Sequence, residues 1–558
     1  MKKLVKKLSV VLVALLMVVT LAGCQKSNLL TIEKEENKAE GPFAGKTIIL
    51  HTNDVHGGFI PEPDAEEPED GGLEGYAAVS TIKKDFESKG ANVILVDDGD
   101  FSQGSVYVSL NKGNAAANLM NEVGYDIVGL GNHEFDYGVD ALKSNFEGKN
   151  FKVICSNVFE GDKTLFDSEV VVKVGKLKIG FFGLLTPETQ TKVNPNYVNG
   201  LTFTEKEDLY QTAQKEVDLL SKEVDLTICL AHLGDDAESI GNRSADVYAN
   251  TTGIDFIIDG HSHSTITSGE NGEPIQSTGT KCANVGVIII DNATKAIESN
   301  YLIETKVIEA DSAILDSSIA VMSKIDADYG AVFANSDVDL NGVKEDVRSR
   351  ETNMADLVTD AMLWGVLKDG SLDVADDMVV AVTNGGGIRS SISKGGVTMK
   401  DVNAVLPFGN TLAVDYITGT ELLEALEAST YATPETLGGF PQVAGMKFTI
   451  DTTKEFDQGE EYPDSTYFAP KSIVRVTIDE VNGKPFDANA TYAVVTNNFT
   501  AAGGDTYYAF KRAYDAGNGF DTGIVLDEIV AQYITEKLGG KITSDYAEPQ
   551  DRISIIVE

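Results

Sequence analysis

From Lys46 to about Glu304 the chain alternates short aliphatic runs with amphipathic stretches. The runs "KTIIL", "NVILV", "YDIVGL", "FKVICS", "LKIGFFGL", "VDLTICL" and "IDFIID" are apolar at consecutive positions rather than at every second one. Such runs are typical of strands covered on both faces by other layers. Between them, "LEGYAAVSTIKKDFESKG" and "AAANLMNEVG" carry helical periodicity. This predicts a layered α/β domain over residues 43–305. Residues 306–335 ("AILDSSIAVMSKIDADYGAVFA" at their centre) read as a helical connector and hinge, and 336–558 as a second mixed α/β domain. In the latter, helices are expected at "TNMADLVTDAMLWGVLKDG", "GTELLEALEAST" and "GIVLDEIVAQYITEKLG". Strands are expected at "DMVVAVT", "MKFTID", "VRVTID" and "YAVVT". A length of 558 residues suits this division.

The first 23 residues stand apart. Lys2, Lys3, Lys6 and Lys7 precede an apolar run that ends in small residues before Cys24, the layout of a secretory leader. The run Val10 to Ala22 is shorter than the ~20 residues a membrane span needs. "LAGC" resembles the lipobox of bacterial lipoproteins, which implies a lipid anchor on Cys24 and an extracytoplasmic, membrane-attached protein. Residues 24–42, polar and charged, read as a flexible tether. Residues 61–72, "PEPDAEEPEDGG", hold six acidic residues and three prolines and read as an exposed insertion. Cys155, Cys229 and Cys282 give no disulfide framework. A formal charge of −42 argues against nucleic-acid polymers as partners. Nothing points to an obligate protein partner.

The six histidines are His51, His56, His133, His232, His261 and His263, all in the first domain. Each follows closely on an apolar run, as does Asp100 in "VILVDDGD". Loops beyond strand ends are where α/β sheets gather ligands. One histidine in such a place is unremarkable packing, but every histidine in the chain is not. Imidazole, carboxylate and amide donors together suit zinc, manganese, cobalt or iron rather than a thiolate site or a calcium cage. His51, on the opposite face of its strand from its neighbours, is the weakest member and reads as core.

"HTNDVHG", "DDGDFSQGS", "GNHEFDYG", "AHLG" and "GHSH", in this order, resemble the binuclear metallophosphoesterases. "TNGGGIR", "LPFGN" and "NNFTAAGGD" narrow the resemblance to the bacterial 5′-nucleotidase / UDP-sugar hydrolase family. The resemblance implies an α-β-β-α metallophosphoesterase domain followed by a substrate-binding domain. It implies two divalent ions, zinc, manganese or cobalt, held by Asp54, His56 and His263 on one side and Asn132, His232 and His261 on the other, with Asp100 shared. His133 and Asp136 would form a catalytic dyad. Asp98 stands where the family usually has alanine.

Arginine is scarce, seven against 38 lysines, yet Arg348, Arg350 and Arg389 fall in two short segments of the second domain. Guanidinium groups bind phosphate bidentately, so these are candidate substrate clamps, with Asn384 and its neighbouring glycines allowing close backbone approach. Phe408 and Phe499 match the family's nucleobase sandwich and Asp505 a nucleoside contact. Ala502, where asparagine is usual, and "GGDTYY" depart from the pattern. The expected activity is 5′-nucleotidase: the ions acidify a water for in-line attack, releasing nucleoside and phosphate. Alternatives are UDP-sugar hydrolysis, 2′,3′-cyclic phosphodiesterase with 3′-nucleotidase activity, or a lipoprotein that captures nucleotides without splitting them. With chemistry on one domain and recognition on the other, turnover is expected to require closure about the connector.

Overall fold

The computed structural model describes residues 29–58, 75–193, 197–236, 239–368, 372–463 and 465–557. The leader, Cys24 and the acid-rich stretch at 61–72 lie outside them.

The strand Lys46–Thr52 shows why its run is unbroken. Ile48 and Leu50 pack against the helices Gly75–Ser88 and Asn114–Val123, while Ile49 faces a second core between two sheets. Each such buried aliphatic side chain contributes about 1.5–3 kcal/mol. Among the described residues, one sheet has six strands in the order Ala296–Glu304, Asn284–Asp291, Lys46–Thr52, Asn92–Asp97, Ile127–Val128 and Lys152–Val153. The other has seven, with Leu177–Leu185, Leu226–His232 and Phe256–Asp259 parallel at its centre. The helices Lys206–Leu220 and Ser244–Asn250 cover its outer face. Four layers result, α-β-β-α.

Two segments differ from the sequence expectation. Within the tether, Thr31–Lys34 is a strand pairing in parallel with Glu169–Val174, Ile32 lies against the inter-sheet core, and Lys34 bonds Asp126 at 2.6 Å. Its glutamate and lysine follow a single apolar side chain, and Leu30 just before it packs against the same core. The connector helix, Ser312–Tyr329, places Ile314 and Ile325 in the core of the first domain, against Gly75–Ser88 and Asn114–Val123. The chain therefore passes to the second unit only after Tyr329.

That unit has a five-stranded sheet ordered Pro441–Ala444, Val379–Asn384, Thr491–Asn497, Thr411–Thr418, Gly519–Val525. Asn353–Leu367, Met399–Val405 and Leu526–Gln532 cover one face, Gly419–Ser429 and Tyr508–Asp515 the other. The expected terminal helix begins only at Leu526, because Gly523, Ile524 and Val525 finish an edge strand. Strand pairing brings Asn384, Asn497 and the segment before Thr411 to one end of the sheet.

Candidate active site

The first domain's site loops leave the carboxyl ends of five strands. Asp54 and His56 follow Thr52; Asp100 follows Asp97; Asn132 and His133 follow Val128; His232 ends its strand; His261 and His263 follow Asp259. The turns are tight. Asp54, His56, Asp100, His261 and His263 all have left-handed φ, between 46° and 77°. Non-glycine residues adopt this region at a cost, and it is concentrated where side chains are aimed at a site. Glu134 braces these loops: its buried carboxylate accepts hydrogen bonds from the amides of Gly131, Asp100, Phe101 and Ser102 at 2.7 to 3.1 Å.

The donor atoms converge in three overlapping groups: Asp54, His56 and His263; His56, Asp100 and His133; and Asp100, His232 and His261. Their hydrogen bonds show what the groups lack. His232 donates through Nδ1 to the Asp98 carbonyl at 2.7 Å, which leaves the Nε2 lone pair facing Asp100 Oδ2 at 3.2 Å. His261 contacts Glu188 through Nε2 at 3.2 Å, and with that proton there its Nδ1 lone pair faces Asn132 Oδ1 at 2.9 Å. His56 donates through Nδ1 to the Gln103 carbonyl at 2.8 Å, and its Nε2 lies 3.0 Å from His263 Nε2 and 3.7 Å from Asp100 Oδ2. At His232 and His261 acceptors thus face acceptors at buried positions. Either each ring takes a second proton, or cations stand between the groups. The second remedy satisfies all of them at once, and the donor set suits a dinuclear centre with Asp100 facing both halves. Burial, aided by the charges of His133 and Arg389, holds His56 down to about 3, so its ring is disposed to act as a neutral ligand.

His133 lies beside the cluster. Its Nδ1 donates to Asp136 Oδ2 at 2.6 Å, fixing the ring and leaving Nε2 for a ligand. Burial disfavours the charged ring, but Asp136 and Asp100 more than offset this and raise it. His51 is elsewhere: it bonds Gln276 at 2.9 Å in the core, where any side chain at Gly286 would collide with its ring.

The second domain closes the other wall. A cavity of 650 Å³ is lined by Asp100, Asn132, His133, Asp136, His261 and His263 from the first domain, and by Arg348, Asn384, Arg389, Phe408, Phe499 and Asp505 from the second. Phe408 stacks on His133 across the seam, with centroids 6.2 Å apart at 16°. Arg389 sits 5.6 Å from the Phe408 ring centre, and burial lowers it to about 10. Phe499 lies on Gly504, where a Cβ would come within 2.3 Å of the ring. Asn384 donates to Asp505 at 2.9 Å.

Arg350 is not among these residues. Its side chain is 61% exposed and pairs with Asp346 at 2.5 Å. The cations that sequence reasoning missed are Lys344 and Lys192, both in the cavity wall. Lys344 stands four residues before Arg348 and shares its side of the short helix Lys344–Val347, whereas Arg350, two beyond, turns away. That spacing was the available signal. Glu188, which anchors His261, had none.

Residues 47–265 match the calcineurin-like phosphoesterase family and 332–512 the 5′-nucleotidase C-terminal domain. The chain belongs to the 5′-nucleotidase family of metallophosphoesterases. It is a hydrolase acting on phosphoester bonds. A 5′-nucleotidase of Vibrio cholerae is 28% identical over 570 residues, which cover 93% of this chain and 94% of that protein. The trifunctional nucleotide phosphoesterase YfkN of Bacillus subtilis is 29% identical over 89% of this chain, which spans only 34% of YfkN's length. The crystal structure of a 5′-nucleotidase precursor from Thermus thermophilus superposes with a TM-score of 0.72 at 29% identity, covering 92% of this chain and all of that one. Calcineurin-like phosphoesterases use a dinuclear metal centre, in keeping with the acceptor clusters here.

Proposed function

We propose that the protein hydrolyses nucleoside 5′-monophosphates to nucleoside and phosphate. The observation that carries this is the make-up of one cavity: acceptor clusters and the His133–Asp136 pair on one wall, guanidiniums and two phenylalanines on the other. Asp54, His56 and His263 would hold one ion, Asn132, His232 and His261 the second, with Asp100 shared; zinc, manganese or cobalt suits these donors. When bound, such a pair supplies an acidified water and a counter-charge for the phosphoryl oxygens. The chain's own residues supply the rest. Arg348, Arg389 and Lys344 hold the anionic end of the substrate, and phosphate-directed guanidiniums restrict its rotation. Phe408 and Phe499 bound the base, which any purine or pyrimidine can satisfy because each has a π-face. His133, held by Asp136, presents Nε2 to the reacting phosphoryl group.

The reading is tested by phosphate release from AMP, UMP, UDP-glucose and 2′,3′-cyclic AMP, with each metal in turn. AMP or UMP should be split fastest. Faster UDP-glucose or cyclic AMP turnover would replace the monophosphate reading with one of the alternatives. Stoichiometric metal and nucleotide binding without phosphate release would make the protein a capture lipoprotein.

The same proposal places the enzyme outside the cytoplasm, held to the membrane by lipid on Cys24; the leader pattern and "LAGC" support it. Among the described residues no helix is long and apolar enough to cross a membrane. Cys24→Ser should abolish palmitate labelling and shift activity from the membrane fraction to the medium. Unchanged membrane retention would reject the anchor.

A further inference from the structure

We propose that Arg475, remote from every motif discussed above, is a specificity-positioning residue that moors the nucleoside-facing wall of the cavity; this rests on the nucleotide reading. The wall is the segment 430–438, which follows the helix Gly419–Ser429 and contributes Tyr431, Ala432, Thr436, Leu437 and Gly438 to the cavity. It brings no cation to the cavity, and Gly438 lies against Asp505. Its chemistry therefore suits the uncharged part of a substrate rather than its phosphate.

A segment in this place would ordinarily be loose. A helix end leaves its last carbonyls without partners, and the turn beyond has little regular pairing of its own. Here a single buried guanidinium ties down three carbonyls of that turn. Arg475 is 4% exposed; its Nη1 donates to the carbonyls of Thr430 at 2.8 Å and Tyr431 at 2.5 Å, and its Nη2 to that of Thr433 at 2.5 Å. The mooring is reciprocal. Glu427, on the last turns of the same helix and fully buried, accepts from the amides of Val474, Arg475 and Val476 at 2.8 to 3.2 Å. The helix end and the start of the strand Val476–Val481 are thus locked in both directions.

The far end of the segment has ties of its own that do not involve Arg475, so the phosphate-holding residues keep their places without it. Leu437 donates its amide to the carbonyl of Arg348 at 2.9 Å, and Gly386, beside Asn384, donates to the carbonyl of Gly438 at 2.7 Å. A segment free to shift would present its side chains to the nucleoside only part of the time, which weakens binding without touching the reacting phosphorus.

The test compares AMP, or UMP if the wild type prefers it, with p-nitrophenyl phosphate, which has no nucleoside. Arg475→Met keeps the stem and removes the donors. KM for the nucleotide should rise about tenfold with kcat within about twofold, the loss of ordering one segment. kcat/KM for p-nitrophenyl phosphate should stay at the wild-type level. Arg475→Lys, whose ammonium reaches fewer carbonyls, should fall between, and it is read by the same criteria if the methionine variant does not accumulate folded. An unchanged nucleotide KM in a folded variant would overturn the proposal, and so would equal losses on both substrates. A wild-type enzyme that splits p-nitrophenyl phosphate but no nucleotide rejects the underlying nucleotide reading, and this inference with it, before any variant is made.

Discussion

Asp100→Asn should abolish bound metal while leaving the protein folded. Asp100 Oδ1 accepts the His133 amide at 2.8 Å, and Oδ2 faces the lone pairs of His232 at 3.2 Å and His56 at 3.7 Å. An amide retains the first contact and turns an N–H toward His232. It therefore satisfies the apo arrangement better than the carboxylate does, while removing the one charge that both donor groups share. Lewis-acid stabilisation of several kcal/mol disappears with the ions, so turnover should fall by ~10³-fold or more. Metal analysis of purified protein should show both ions lost, and the melting temperature in chelator should match or exceed that of wild type. A variant that retained stoichiometric metal and near-normal turnover would refute the shared role of Asp100.

His133→Ala should do the opposite: keep the metal and lose the rate, by ~10²–10⁴-fold, the usual range for a positioned proton donor or acceptor. The ring packs edge-to-face on His56 at 5.2 Å but makes none of the hydrogen bonds that orient the ligand imidazoles, so metal content should match wild type. The substrate dependence separates two roles. An equal loss on AMP and p-nitrophenyl phosphate indicates that Nε2 acts on the phosphoryl oxygens. A smaller loss on the aryl ester, whose leaving group needs no proton, indicates that it acts on the departing oxygen. A kcat close to wild type would remove the dyad from the mechanism.

Much of the first domain was legible because its physics is local. A strand buried on both faces must be apolar at consecutive positions, and "KTIIL" and "LTICL" are. Histidines that in every case follow closely on such runs stand out against them. What stayed hidden depended on long-range contacts. The strand Thr411–Thr418 was missed because Asp415 interrupts its run. That carboxyl is fully buried without a hydrogen-bond partner, and burial pushes it up to about 8, so it sits in the sheet as a neutral group. The strand Thr31–Lys34 carries one apolar residue, half-buried against the core, and looks like linker. Among the cations, residue type points to Arg350, whereas helical spacing from Arg348 favours Lys344, which lines the cavity. Glu134 and Glu188 act through backbone amides and an imidazole supplied by distant loops, and no local pattern announces them.

The seam through the cavity has an evolutionary corollary. The ester-splitting wall and the discriminating wall belong to bodies with separate hydrophobic interiors. Mutations that reshape the pocket for a new leaving group need not disturb the residues that attack phosphorus. A lineage built on this plan can diversify its diet through one half of the gene while the other half keeps its catalytic inheritance intact.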